Sequence, residues 1–166
     1  MGPIGLPSIA GVGDLVTMLV GRRVKVSEAA PLPVGAARGV ATYIDAGGEI
    51  HFVALLDMAF LAGVGAALAM IPRPTVDDAI KSGKPSSVLV DNALEVMNVI
   101  ASLCNDLEGK GTHMTIQRLV VAPPVASELA PRLLKPASRT DYDVELPGYA
   151  NGKLSFLALV ANGVKT

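Results

Sequence analysis

Apolar residues recur at Ile9, Val12, Val16 and Leu19 between Ser8 and Gly21, the spacing of one face of a helix. Ser8 is suited to cap that helix and Gly21 to end it. From Gly21 to Val26 the period changes to two, with Val24 and Val26 on one side, which predicts a strand. The Pro- and Ala-rich stretch from Glu28 to Ala37 reads as a linker. Val40 to Asp45 and Glu49 to Leu56 predict the strands of a hairpin turning through Ala46, Gly47 and Gly48. Asp57 is placed to cap a helix that must end before Pro72 and Pro74. A short helical turn over Thr75 to Lys81 follows, then the longest helix, opening at Ser86 or Ser87 and reaching about Leu107 before Gly109 and Gly111. Met114 to Val121 predicts a strand closed by Pro123 and Pro124, and Ala126 to Leu134 a short helix. Asp141 to Leu146 and Lys153 to Val160 predict a final hairpin turning at Asn151 and Gly152.

This order is a helix followed by three strands, written twice. It predicts an α+β fold in a single domain over residues 1–166, with halves of about 1–71 and 72–166 sharing a mostly antiparallel sheet packed on long helices. An exposed C-terminal hairpin would allow a homodimer through sheet-edge pairing. The uncharged run from Met58 to Ile71 would span roughly 21 Å as a helix, against a bilayer core of about 30 Å, so a core helix is expected rather than a membrane span.

Composition narrows the function classes. In 166 residues, 51% are hydrophobic and 17% charged, which excludes disorder for most of the chain. Fourteen basic against fifteen acidic residues leave no electrostatic footprint for a nucleic-acid backbone. One cysteine, Cys104, excludes an internal disulfide, and His51 and His113 lie too far apart in sequence for zinc-ligand spacing. With no basic region at the N-terminus, a reducing, cytoplasmic location is expected.

The longest helix carries the clearest chemical signal. At 100° per residue, Asp91, Glu95, Asn98, Ser102 and Asn105 share an arc of about 80°, while apolar side chains fill nearly all the remainder. The simplest account is the wet edge of an amphipathic helix. Two features favour a binding face instead. Asn is a poor helix former, yet two occupy the stripe, and neither Lys nor Arg joins them as a solubilising i,i+4 partner. A carboxylate and an amide three residues apart also suit binding a cation and orienting a small polar molecule.

Glu95, Asn98 and Ser102, with Asp91 one turn upstream, resemble the Asp/Ser-xxx-Glu-xx-Asn signature of the CheC/CheX/FliY chemotaxis phosphatases. A strand ending in proline follows in that family, and Val120 to Pro123 is similar. Asp14 to Val26 resembles the end of the family's first helix and the next strand, and Ile50 to Leu68 its central strand and following helix. The resemblance implies a CheC-like fold that dephosphorylates the aspartyl phosphate of a CheY-like response regulator. Asn98 would orient the attacking water, Glu95 would dock a lysine of the regulator, and Asp91 with Ser102 would frame the contact. No cofactor is then expected on this chain, because the Mg²⁺ belongs to the regulator. CheC-type members carry the motif twice. Here the first position falls around Pro3 to Leu6 without Glu or Asn, which implies a CheX-like protein with one site, a class usually dimeric. A non-catalytic module that binds a receiver domain, or a structural homodimer, are the rival readings; Ser102-Leu103 stands where the family often has Gly-Asn.

Other candidates have simpler accounts. Gly11, Gly13, Gly63 and Gly65 lack the lysine of a phosphate-binding loop and predict close helix packing. His51 reads as a solvated or satisfied histidine, His113 as a loop residue, and Cys104 as inert packing. Asp77, Asp78 and Glu108 read as helix-end charges, and Arg22, Arg23 and Lys25 as protection of an edge strand.

Overall fold

Ser8 starts the first helix: its hydroxyl oxygen accepts from the Gly11 amide, and α1 runs Ile9–Val20. The computed structural model describes residues 5–106, 114–121 and 129–160, with side chains described to Cys104 in the first stretch. Gly21, at φ +73°, ends α1 in the left-handed conformation that glycine adopts most easily. The Val24 amide is then taken by the Thr17 hydroxyl at 2.9 Å, and β1 begins only at Lys25 (Lys25–Glu28), later than the alternation alone places it. The hairpin of β2 (Gly39–Ile44) and β3 (Ile50–Leu56) forms where expected. Asp57 caps α2 (Met58–Ala69) by accepting from the Phe60 amide.

Pro74 lies in the first turn of α3 (Arg73–Ser82), where its missing amide is harmless, so a ten-residue helix replaces the short turn expected. The longest helix is α4 (Ser87–Asp106). Strand β4 (Thr115–Val121), helix α5 (Ala130–Leu134), β5 (Ser138–Glu145) and β6 (Gly152–Ala158) complete the chain. The expectations that fall on Leu107 to His113, on Pro123 and Pro124, and on residues 126–128 lie outside the described residues.

The last hairpin differs from the sequence reading. Its turn is made at Gly148, φ +86°, between Pro147 and Tyr149, and Gly152 is the first residue of β6. A Cβ at Gly152 would lie 2.5 Å from the Phe60 Cα, so glycine there serves contact with α2 rather than a turn.

All strand pairs are antiparallel, in the order β1-β5-β6-β3-β2-β4. Exchanging each strand with the one three places along the chain returns the same order read from the other end. Each half therefore donates its first strand to flank the other half's hairpin. The C-terminal hairpin is consequently not exposed for pairing: β5 and β6 are interior strands, and the edges are β1 and β4.

Alternate residues of the central strands face opposite cores. Phe52, Ala54, Leu56, Leu154 and Phe156 join α1 to α4 in the main core. Val53, Leu55 and Leu157 face the other way, onto Leu32, Ala37, Leu129 and Leu133. The stretch expected as a linker thus covers a sheet face. It contains a turn of 3₁₀ helix at Val34–Ala36 and is tied down by Ala29, whose amide donates to the Asp141 carbonyl. The uncharged helix α2 is a core helix, as expected. Among the described helices α4 alone is long and apolar enough to cross a bilayer, and its apolar side is packed into the main core.

Candidate functional site

The apolar face of α4 fixes how its polar face is presented. Leu89, Ala93, Val96, Met97, Ile100, Ala101 and Cys104 are buried, whereas Asp91, Glu95, Asn98 and Ser102 are exposed along the opposite side. The Asn105 side chain lies outside those described.

Contacts with the core seat α4 at two levels. At its first turns the helix crosses α2 so closely that a Cβ on Gly65 would lie 2.3 Å from the Leu89 carbonyl oxygen. There the Asn92 amide donates to the Gly65 carbonyl at 2.9 Å, so this asparagine beside the stripe works inward. Two turns on, the Tyr43 hydroxyl donates to the Met97 carbonyl at 2.8 Å. The glycines of α2 therefore serve close packing, as their sequence context predicts.

On the outer face, Glu95 and Asn98 have no hydrogen-bonding or ionic partner among the described residues. Ser102 differs, because its hydroxyl donates to the Val99 carbonyl of its own helix at 2.7 Å. Described clefts of about 420 Å³, beside Arg22 and Arg73, and about 690 Å³, between α1 and β1, are lined by other elements. Neither of these described clefts is lined by the stripe.

The first half carries no counterpart. Lys25 to Thr115, the first residues of β1 and β4, is a step of 90 residues. The same step leads from Pro7 to Met97, whose carbonyls each accept from a buried tyrosine, Tyr142 and Tyr43. Applied to Glu95 and Asn98, it arrives at Gly5 and Ser8. Both precede α1, and the Ser8 oxygen is occupied in capping that helix.

Several other candidates among the described residues have structural accounts. His51 is satisfied: its Nε2 lies 2.8 Å from Asp45 Oδ2. Asp45, Glu49 and His51 could bring three ligand atoms within 4.8 Å of one another. Asp45 is engaged in closing the hairpin, accepting also from the amides of Gly47 and Glu49. The His51 bond, followed by the Glu49 amide, holds the Asp45 carboxyl below its ordinary range. Burial pushes the Cys104 thiol up to about 12, so it stays protonated and inert. Asp77 forms an i,i+4 pair with Arg73. Sequence reasoning missed Tyr43, whose partner Met97 lies on an element distant in the chain.

No protein-family description and no curated protein matches this sequence. Solved structures do. A chain of the FliM–SpeE complex from H. pylori superposes with a TM-score of 0.63 at 6% identity, covering 92% of this chain and 82% of its own length. Thermotoga maritima FliY gives 0.59 at 12% identity, with 95% and 86% covered. A chain of the CheX–CheY–BeF₃–Mg²⁺ complex from Borrelia burgdorferi gives 0.57 at 12% identity, with 90% and 93% covered. The chain has the CheC/CheX/FliY-like fold.

Proposed function

We propose that this chain accelerates hydrolysis of the aspartyl phosphate on a CheY-like receiver domain, presenting α4 beside the phosphorylated site. The observation that carries the reading is the pairing of Glu95 and Asn98. They lie one helical turn apart, outward-facing and unpartnered among the described residues, on a helix whose other side is locked into the core. The fold supports it, since a CheX–CheY complex is among the structures that share it.

Asn98 would accept a hydrogen bond from water through its amide oxygen and hold that water in line with the phosphorus. The water–phosphorus bond forms as the bond to the regulator's carboxylate breaks, and phosphate departs. Glu95 would pair with a lysine of the regulator, with Asp91 and Ser102 at the margins of the contact. Mg²⁺ would sit in the regulator's acidic pocket, where it offsets charge on the phosphoryl oxygens. Phosphoryl transfer of this kind rests on positioning and charge stabilisation, so it needs no nucleophile from this chain.

The test is the decay of a phosphorylated CheY-like receiver domain with and without the protein. Acceleration is expected, and Asn98→Ala should lower it by about a hundredfold while the helix remains folded. Glu95→Ala should weaken binding more than the rate at saturation. Unchanged decay with wild-type protein would sink the reading. A non-catalytic receiver-binding module is favoured by one observation, the Ser102 hydroxyl spent on its own helix. Binding without acceleration would select it.

A further inference from the structure

We infer that Tyr43 is a positioning residue of this site: its phenol sets the depth and rotation of the α4 turn that carries Glu95 and Asn98. The assignment rests on the phosphatase reading above. Tyr43 projects from β2 with no exposed surface and donates its O–H to the Met97 carbonyl at 2.8 Å. Met97 directly precedes Asn98 and follows Glu95 by two residues.

In an α-helix that carbonyl already accepts the amide four residues on, here Ala101. The phenol occupies the oxygen's second lone pair, so it is not needed to satisfy a buried acceptor. A phenylalanine would fill the same space without burying a hydroxyl. What the hydroxyl adds is a directional link from the sheet to the backbone of this one turn. Burial pushes the phenol well above its ordinary value, so it stays a donor at every pH of use. The ring is steadied by Phe156, with centroids 5.9 Å apart.

The fold supplies its own control. Tyr43 is the fifth residue of β2, and Tyr142 is the fifth residue of the equivalent strand β5. Tyr142 is also fully buried, meets Phe156 edge-on at 6.2 Å, and donates to the Pro7 carbonyl just before α1. Tyr43 thus acts inside α4, which bears the amide and carboxylate, whereas Tyr142 acts on the segment that leads into α1, which bears neither. A hydroxyl that merely stabilises the fold should change melting at either place without changing the rate. One that positions the site should matter at Tyr43 alone.

The experiment compares Tyr43→Phe with Tyr142→Phe in the full chain, reading melting temperature, the saturating rate of receiver dephosphorylation and the half-saturating concentration. Both variants should melt about 2–4 °C lower. Tyr43→Phe should reduce the saturating rate about five- to tenfold and change half-saturation less than about twofold, while Tyr142→Phe leaves both unchanged. A saturating rate unaltered by Tyr43→Phe, or lowered equally by both variants, would overturn the assignment while wild-type acceleration keeps the phosphatase reading. Wild-type protein that accelerates nothing would overturn both.

Discussion

Asp141 is only 8% exposed and receives three hydrogen bonds from the Arg139 guanidinium besides one from Ser155. The same guanidinium donates to the Leu32 carbonyl, so one ion pair fastens residues 29–32 over the second sheet face. Burial by itself would raise the Asp141 carboxyl, but the bonds from Arg139 and Ser155 outweigh it and bring the group below its ordinary range. A carboxyl lowered in the native state lends stability that is complete above the unfolded value near pH 4 and vanishes as pH falls through the native value. Asp141→Asn should cost about 1–2 kcal/mol at neutral pH, because the bonds from Arg139 lose their charge assistance while the guanidinium keeps the Leu32 carbonyl. Its stability should also fall less between pH 5 and pH 3 than the wild type's, which thermal unfolding across that range measures. Arg139 and Asp141 share a strand face by their i,i+2 spacing, which the sequence displays. Ser155 and Leu32 reach them only through strand pairing and chain return, which it does not.

At the level of elements, the crossing of α2 and α4 decides where the candidate site sits. A Cβ on Gly65 would strike backbone, the Leu89 carbonyl, whereas one on Gly63 would meet the end of the Leu146 side chain at 2.7 Å. Backbone cannot yield as a leucine methyl can. Gly65→Ala should destabilise by about 2–3 kcal/mol and Gly63→Ala by less than about 1, as denaturant titration will report. Helix starts and this packing were legible in the sequence because their signals are local: Ser8, Asp57 and Gly21 act within one turn, and glycines in an uncharged helix have few other uses. The outward stripe of α4 was legible for the same reason. The turn at Gly148 was not, since an Asn-Gly pair carries the stronger turn signal and Gly152 is dictated instead by Phe60 on another element.

At the scale of the whole molecule, the exchange of first strands makes the halves interdependent. Without the other half, β1 lacks β5 and β4 lacks β2, and the β3–β6 seam is missing. Fragments 1–71 and 72–166 should each lack a cooperative unfolding transition when produced alone, and far-UV circular dichroism during heating checks this. Helix-plus-three-strand periodicity revealed two halves but not their interlock, because the pairing of Lys25 with Glu145 joins residues that no local pattern relates. That interlock also governs the order of events during synthesis. Strand β6, which fills a central place in the sheet, leaves the ribosome after every other strand described here. Until then the greasy sides of α2 and α4 have only half a floor to rest on. Closure of the sheet must therefore wait until β6 is free to pair, and a chain that stops short of it leaves β3 and β5 without their shared partner.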